Sequence, residues 1–563
     1  MKKIYLFSLV IIVFLLFSGC SEKYLSSSGG KVTRDRKSYT VTAVSDNGYR
    51  FVGWSDGERE TTRAYDRNIE GEVTAIFEPI SVILHDGDNE RSLSLSLIAI
   101  TDLSTLAPSS AEGIYRSGYF SDEVCGLLSL ETAEDCLYQI QQKFLGEGIT
   151  DVCDLELYSR YLEYSAGEGG GVSKTADGVS ADADNGYRFV EWSDKSEEQT
   201  RNDDFTEPRA AFSAVFEPIE VELYVSEYHV SSFTLSDFVS LSKESLAAYK
   251  SGADFKGWTL KNGVLPLELS TKTDVVEQIN AYYKKGAIRD IPNIELLAEF
   301  GEAQFDSFYD FKTISHALGG APWLEKENTY FNSLEVFEYN YGIGHRFFEI
   351  DLLLTSDGKI VASHDYGSTV TYDEFMATKT EGFTPIDLEM FVDMMIEYRD
   401  IRMDLDILSI YRSGYVGSAE EKLTVFYDAL DAEIKSRDSG DGAIYNDVYD
   451  RLVLEIFFET PYESLSMELA KREEYGFKHF MYAGVGDKEF PMGTELDELR
   501  ALCEWCVENG VLMMSTKICD AEFIKMTDSY GIFTFAYTFN SPSEIYRLLS
   551  IGIDCVFTDF VYF

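Results

Sequence analysis

The pattern of apolar and polar residues changes near residue 306. Before that point, runs of alternating aromatic and polar residues lie between Asn-Gly turns, which is typical of short antiparallel strands. After it, short apolar runs alternate with amphipathic stretches of helical period, which predicts parallel strands joined by helices. The predicted strands of this second part are 313–317, 347–352, 401–405, 452–457, 479–482, 511–515, 533–537 and 555–558. Eight such strands predict a TIM barrel over residues 305–563, preceded by small β-rich (α+β) units.

An internal repeat occupies the N-terminal half. DNGYRFVGWSDG begins at Asp46 and DNGYRFVEWSDK begins at Asp184, so that Trp54 and Trp192 occupy equivalent positions. The two units are predicted to span residues 31–165 and 169–300. We expect both tryptophans to be core residues of small β modules, with sugar stacking as the alternative. The repeated block resembles the divergent internalin-type B-repeat of bacterial surface proteins, which implies spacing or adhesion and a cell-wall or surface ligand.

The N-terminus has the pattern of a targeting segment. Lys2 and Lys3 precede an apolar run over 4–17, which is short for a membrane span and of the right length for a signal peptide. The Ser-Gly-Cys that ends at Cys20 resembles a bacterial lipobox, in which the cysteine is acylated. The resemblance implies a lipoprotein signal peptide over 1–20, lipidation of Cys20 and attachment to a membrane outside the cytoplasm. Residues 21–30 are predicted to be a linker, and the alternative for the apolar run is an uncleaved anchor helix.

The charge balance limits the choice of partners. The chain has 48 basic and 98 acidic residues, for a net charge of −50. Nucleic acid is therefore not expected as a partner, because phosphate binding requires basic patches. A site that processes phosphate in such a chain needs a cation to reverse the local field.

Cysteine chemistry is not predicted. Seven cysteines follow Cys20, and this odd number over a long chain predicts no disulfide framework. Cys503 and Cys506 have CxxC spacing, but they fall in a helical pattern without a second pair that would complete a zinc site. We expect them to be ordinary helix residues.

Four residues are the candidates for catalysis and metal binding. His316 and the pair Glu349 and Asp351 lie at predicted strand ends, and His364 follows a short Asp-Gly turn. The two carboxylates are two positions apart, so on a strand they face the same side. Two imidazoles can serve as acid and base, and carboxylate oxygens favour Ca²⁺ or Mg²⁺ over zinc. Phosphodiester cleavage uses this combination. The alternative is a strand with paired carboxylates and two incidental histidines.

The blocks that hold these residues resemble the glycerophosphodiester phosphodiesterase family, within the phosphatidylinositol-phospholipase-C-like superfamily. The matching blocks are SHALGG, NSLEVF, GHRFFEID, TSDGKIVASHD, YTFN and GIDCVFTD. The resemblance implies a phosphoric diester hydrolase of lipid metabolism, with His316 and His364 as the acid/base pair. It also implies a divalent cation, Ca²⁺ or Mg²⁺, on Glu349 and Asp351, with Asp404 as the expected third carboxylate. Asn332, Glu455, Lys517 and Tyr537 are the predicted substrate-binding residues.

Two positions depart from the family pattern. Ala317 stands where an arginine often follows the first histidine, and Asp406 replaces the lysine of the third-carboxylate pair. The expected substrates are glycerophosphodiesters such as deacylated headgroups, lysophospholipids or polyglycerol phosphate. The departures keep two alternatives open: a weakened or inactive adhesin that binds a phosphorylated or carbohydrate ligand, and a sphingomyelinase-D-like lyase.

Overall fold

The structure is a computed structural model that describes most of the chain from residue 23 onward. The described residues are 23–86, 91–97, 114–120, 136–146, 148–203, 209–242, 244–263, 275–324, 329–364, 369–456, 469, 474–486 and 495–563. Cys20 and the predicted signal peptide lie outside these ranges. Among the described residues, no helix combines the length and the apolar character needed to cross a membrane. The contacts divide the chain into two compact units, Met1–Glu217 and Pro218–Phe563.

The first unit begins with a small β module of two three-stranded sheets. Its strands are β1 (Tyr24–Ser26), β2 (Gly30–Asp35), β3 (Thr40–Ser45), β4 (Tyr49–Trp54), β5 (Thr62–Ala64) and β6 (Val73–Pro79). One sheet has the order β1-β6-β4 and the other β2-β3-β5. Trp54 is 2% exposed, and its indole N–H donates to the Glu60 carbonyl at 2.9 Å. The expectation of a core tryptophan is confirmed.

A second β module in this unit repeats the arrangement around Trp192. Between the modules run β7 (Ser81–Asp86), β8 (Arg91–Ser96), β9 (Ile114–Phe120), the helix Cys136–Gly146 and β10 (Leu155–Ala166). The module adds β11 (Gly170–Thr175), β12 (Gly178–Ala183), β13 (Tyr187–Trp192), β14 (Thr200–Arg201) and β15 (Arg209–Pro218). Trp192 is fully buried, and its N–H donates to the Glu198 carbonyl at 2.9 Å, as in the first module. Both tryptophans are therefore packing residues, not exposed sugar platforms.

Each β module is followed by a small sheet, and the two sheets share one topology among the described residues. The second sheet consists of β16 (Glu220–Val225), β17 (Tyr228–Thr234), β18 (Phe255–Leu260) and β19 (Ile294–Phe300), with the helix Val275–Lys284 before β19. Its order is β17-β16-β19-β18, which corresponds to β8-β7-β10-β9 in the first unit. The parallel pairs Val82↔Leu155 and Val221↔Ile294 hold the equivalent register.

The C-terminal part is a closed parallel barrel, which confirms the predicted fold class. Its eight strands are β20 (Thr313–Ser315), β21 (Phe347–Leu354), β23 (Arg402–Asp406), β24 (Leu452–Ile456), β25 (His479–Val485), β26 (Met513–Thr516), β27 (Phe533–Ala536) and β28 (Cys555–Thr558). β20 pairs with both β21 and β28, and these pairings close the ring. A short strand, β22 (Ile360–Ala362), pairs antiparallel to β21.

Helices lie between the barrel strands along the chain. They include Leu334–Ile343, Tyr372–Ala377, Leu388–Glu397, Leu408–Tyr411, Ala419–Arg437, Ala443–Tyr449, Leu496–Asn509, Ala521–Tyr530 and Pro542–Ser550. Cys503 and Cys506 are buried free thiols of one of these helices, as expected. Cys153, in the first unit, is disulfide-bonded, which the odd cysteine count did not predict.

The inward-facing residues of β21 differ in character along the length of the barrel. Phe347, Glu349 and Asp351 are two positions apart and all point inward. Phe347 belongs to an apolar cluster that fills the lower interior with Ile314, Val453, Phe535 and Phe557 among its members. The carboxylates follow above this layer, toward the carboxyl ends of the strands, where barrel enzymes place their sites.

Candidate active site

Strand register brings the acidic residues together. Glu349 pairs with Asp404 and Asp351 pairs with Asp406 on the neighbouring strand, so the four carboxylates form two levels. Glu349, Asp351 and Asp406 each offer an oxygen, and these three atoms lie within 4.8 Å of one another. The group could hold a metal ion.

The surroundings of this acidic triad fit a hard cation. Glu349 Oε2 accepts the Ala317 backbone N–H at 2.5 Å, but buried Glu349 Oε1 has no hydrogen-bond partner among the described residues. Asp351 Oδ2 accepts from Asn332 Nδ2 at 2.8 Å, and the Asp351 N–H donates to Asn332 Oδ1 at 3.0 Å. An orphaned carboxylate oxygen beside two further carboxylates suits Mg²⁺ or Ca²⁺, which prefer oxygen ligands.

Asp406, not Asp404, completes the triad. Asp404 was predicted as the third ligand, but it lies one level deeper in the barrel, beside Glu349, and is fully buried. Residues i and i+2 of a strand share a face, so either aspartate could have been the inward group at the mouth. The distances between oxygen atoms distinguish the two, because the three oxygens within 4.8 Å of one another belong to Glu349, Asp351 and Asp406.

The buried carboxylates destabilise one another's charged forms. Burial raises the pKa of Glu349 well above its usual value, and repulsion from Asp351 adds to the effect. Burial raises the pKa of Asp404 and of Glu455 in the same way, with Asp404 as the next contributor for Glu455. Burial and the Asp351 charge raise the pKa of Asp406 to about 7. So many acidic groups in one interior require protons or a cation to offset their charge.

His316 is held by the last strand of the barrel. Its Nδ1 lies 3.0 Å from Asp559 Oδ1, which leaves Nε2 for chemistry in the pocket. Asn540 fixes Asp559 in turn: Asn540 Nδ2 donates to Asp559 Oδ2 at 2.6 Å, and Asn540 Oδ1 accepts the Asp559 backbone N–H at 2.8 Å. The closure of β20 on β28 brings this carboxylate to the histidine.

His316 and His364 both contact the phenol ring of Tyr330. The Tyr330 ring centroid is 4.7 Å from that of His316 and 4.6 Å from that of His364. The two imidazoles also line the same cavity, as acid and base groups that act on one substrate must.

A cavity of about 810 Å³ opens at this end of the barrel. Both histidines, the acidic triad and three of the predicted substrate residues (Glu455, Lys517 and Tyr537) line it. Lys517 Nζ lies 5.1 Å from the centre of the Tyr537 ring, so the pocket has a cation opposite its carboxylates. Asn332 was predicted to bind substrate, but it is 1% exposed and both ends of its amide bind Asp351. Its contacts make it a residue that positions Asp351.

Besides Asp406, three site residues were not identified from the sequence as contributors. Asp559 and Asn540 lie in blocks that the family resemblance covers, and the pairing of the last strand with the first is the signal that could have placed them near His316. Tyr330 lies in a connecting segment at φ 60°, a backbone conformation that is uncommon for tyrosine. Nothing in the local sequence pattern predicts its contact with both histidines.

Comparison with known proteins finds two family matches in the chain. Residues 492–562 match the profile of the glycerophosphoryl diester phosphodiesterase family, and residues 20–81 and 161–220 match the divergent InlB B-repeat domain. No curated protein matches the chain significantly.

Solved structures of similar fold include a glycerophosphodiester phosphodiesterase from Thermotoga maritima, which is 19% identical with a TM-score of 0.30 over 44% of this chain and 94% of that one. A glycerophosphodiester phosphodiesterase from Parabacteroides distasonis is 16% identical, with a TM-score of 0.31 over 44% and 92%. An Oleispira antarctica phosphodiesterase in complex with sn-glycerol-3-phosphate is 16% identical, with a TM-score of 0.32 over 44% and 92%. The end of the barrel, residues 492–562, is thus similar to the glycerophosphoryl diester phosphodiesterase family, on the same chain as two segments similar to the divergent InlB B-repeat domain.

Proposed function

We propose that the chain is a metal-dependent phosphodiesterase that hydrolyses glycerophosphodiester-type substrates at the cell surface. One observation carries the proposal: a single pocket is lined by two histidines and by a carboxylate triad. The match of residues 492–562 to the phosphodiesterase family supports it.

In the proposed reaction, water is the nucleophile. His316 Nε2 takes a proton from the water, because Asp559 occupies Nδ1 and fixes the orientation of the ring. The water oxygen bonds to phosphorus, the P–O bond to the leaving alcohol breaks, and His364 donates a proton to the departing oxygen. A phosphodiester and one water thus give a phosphomonoester and an alcohol, and the proton taken by one histidine balances the proton given by the other.

Charge in the pocket must be offset before an anionic substrate can enter. Glu349, Asp351 and Asp406 would hold a divalent cation, which supplies positive charge for the phosphate oxygens when bound. Lys517 adds a second positive charge on the opposite wall, beside Tyr537. The negative overall charge of the chain makes this local reversal necessary.

Attachment to a membrane through lipidated Cys20 is part of the proposal, with the N-terminal modules as a spacer that binds a cell-wall or surface ligand. The lipobox-like sequence before Cys20 supports the attachment. Metabolic labelling with a fatty acid tests it, because Cys20→Ser should abolish both the label and the membrane fraction. Labelling that persists in Cys20→Ser contradicts the assignment.

A substrate panel tests the activity. The full chain in detergent is incubated with glycerophosphocholine, glycerophosphoethanolamine and glycerophosphoglycerol, after EDTA and after addition of Mg²⁺ or Ca²⁺. Hydrolysis should stop with EDTA, return with a cation and fall at least a hundredfold in His316→Ala. His229→Ala, a change at an exposed histidine of the small sheet, is the matched control. Turnover that survives both EDTA and His316→Ala overturns the proposal.

A further inference from the structure

One tyrosine contacts both histidines of the proposed mechanism but takes no part in their proton transfers. The ring centroid of Tyr330 lies 4.7 Å from that of His316 and 4.6 Å from that of His364. Tyr330 lines the catalytic pocket together with both histidines, and it is 46% exposed. A phosphate group on which both imidazoles act therefore lies beside this phenol.

The segment that carries Tyr330 is fixed by its neighbour in the chain. Asn332 binds Asp351 through both ends of its amide, and its backbone N–H donates to the Ala317 carbonyl at 3.4 Å. Tyr330 and Asn332 both have a left-handed backbone, with φ 60° and 45°. Such conformations are uncommon for residues other than glycine, and they occur at functional sites where the surrounding structure holds them. The phenol therefore enters the pocket from a backbone that the site itself holds in place.

The hydroxyl of Tyr330 is available as a hydrogen-bond donor. Among the described residues, no group shares a hydrogen bond with it. Partial burial raises the pKa of Tyr330 to about 12, and the charges of Asp559 and of the acidic triad add to the effect. The hydroxyl thus lies within the electric field of these carboxylates, and it keeps its proton over the whole pH range in which histidines titrate.

A neutral donor suits the charge balance of this pocket. Among the described residues that line it, four are carboxylates and one is a lysine. A phenol needs no counter-charge of its own when it lies among carboxylates. Its hydrogen bond to a charged phosphate oxygen is also stronger than a hydrogen bond between two neutral groups. Tyr330 can therefore contact an anionic phosphate favourably in a site that is otherwise rich in negative charge.

We propose that Tyr330 is a third catalytic residue, whose phenol O–H donates a hydrogen bond to a non-bridging oxygen of the substrate phosphate. The inference rests on the proposed function, because it concerns the same reaction at the same site. As the water oxygen bonds to phosphorus, negative charge develops on the non-bridging oxygens, and a donor fixed beside them stabilises the transition state. The phenol keeps its proton throughout, so the proton balance between the two histidines is unchanged.

Tyr330→Phe separates the hydroxyl from the ring, because the contacts of the ring with both imidazoles remain and only the donor is lost. For hydrolysis of glycerophosphocholine by the full-length protein at saturating cation, kcat/KM should fall by about tenfold or more. The pH dependence of kcat/KM should keep its shape, because both histidines are untouched. A smaller loss in Tyr330→Phe overturns the inference. A shifted pH profile also overturns it, because the phenol would then act through the histidines.

Tyr309→Phe is the matched control and should leave kcat/KM unchanged. Tyr309 is 48% exposed, lies before the first barrel strand and packs on Phe533 at the amino end of another strand.

Phosphorothioate analogues test the contact itself. Sulfur in place of one non-bridging oxygen makes phosphorus a stereocentre, so each diastereomer carries sulfur at a different non-bridging position. For one diastereomer, the ratio of kcat/KM for the oxygen substrate over the sulfur substrate should be smaller in Tyr330→Phe than in the wild type, because the variant has no hydroxyl contact left to weaken. Ratios that are the same in both proteins for both diastereomers overturn the inference.

Failure of the inference can be told apart from failure of the proposed function. Wild-type turnover that Tyr330→Phe preserves overturns only the role of Tyr330. Calorimetric binding of methyl phosphate in the presence of Mg²⁺ covers a protein without turnover. Weaker binding in Tyr330→Phe supports the phosphate contact even then, and equal binding in the two proteins refutes it.

Discussion

The contact between His316 and Asp559 yields the sharpest test of the mechanism. The substitution Asp559→Asn changes one oxygen to an amide nitrogen and preserves shape. Asn540 determines which way the new amide must face, because its Oδ1 accepts the backbone N–H of residue 559 and its Nδ2 therefore remains a donor. The carbonyl oxygen of the new Asn stays opposite that donor. Its NH₂ group then faces His316 Nδ1, where the carboxylate oxygen was.

The reversed hydrogen bond makes His316 Nδ1 an acceptor and moves the proton to Nε2. A base whose pocket-facing nitrogen already carries a proton cannot take one from water. The expected loss is the whole contribution of general base catalysis, about 10² to 10⁴ in kcat. At 1.36 kcal/mol for each factor of ten, this corresponds to about 3 to 5 kcal/mol of transition-state stabilisation.

The assay is steady-state hydrolysis of glycerophosphocholine at saturating cation, with kcat and KM measured separately. KM should change little, because Asp559 contacts the histidine and not the substrate pocket. Asp554→Asn is the matched control, since Asp554 accepts from Thr534 at the amino end of the barrel. The double variant Asp559→Asn with His316→Ala should be no slower than His316→Ala alone, because the two residues act as a unit. Asp559→Asn with more than half of wild-type kcat refutes the base assignment.

Three further outcomes are expected. Asp406→Asn should weaken Mg²⁺ or Ca²⁺ binding at least tenfold more than Asp404→Asn, because only Asp406 belongs to the triad; equal losses in cation titrations would contradict this. His345 is buried, and burial together with Arg346 lowers its pKa to about 3, so the folded state stays neutral while the unfolded chain gains a proton below about pH 6.5. The free energy of unfolding is therefore unaffected by His345 above pH 6.5 and decreases as the pH falls toward 3. His345→Leu should remove roughly 2 to 3 kcal/mol of this destabilisation at pH 4.5. The difference in Tm between pH 7.5 and 4.5 should then be smaller than in the wild type, and an unchanged difference would contradict the prediction. Trp192→Ala should destabilise the second β module by about 3 to 5 kcal/mol in denaturant unfolding, and a loss below 1 kcal/mol would exclude a core role.

The barrel could be predicted from sequence because its strands are short apolar runs separated by helical periods. The same period of two placed Glu349 and Asp351 on one face, which the structure confirms. Asp404 stays a prediction as a metal ligand, although the triad of neighbouring oxygens contains Asp406 in its place. Which of the two aspartates approaches the carboxylates of β21 depends on the geometry of the closed ring and cannot be read from either strand alone.

Residues in connecting segments were harder to predict for a different reason. The position of Tyr330 depends on a left-handed backbone conformation and on two ring contacts with distant residues. Neither feature has a periodic signature. Periodicity therefore identifies site residues on strands. A site residue from a loop can be identified only once the fold shows which residues surround it.

Closure of the ring has a consequence for biosynthesis. His316 and Asp559 are separated by 243 positions in the chain, and they meet only where the first strand pairs with the last. A partly made chain, or one whose final strand has not docked, thus lacks the Asp559 contact that orients His316. During refolding, turnover should therefore appear only after the first strand has paired with the last. The spectroscopic signal of helix formation should appear earlier.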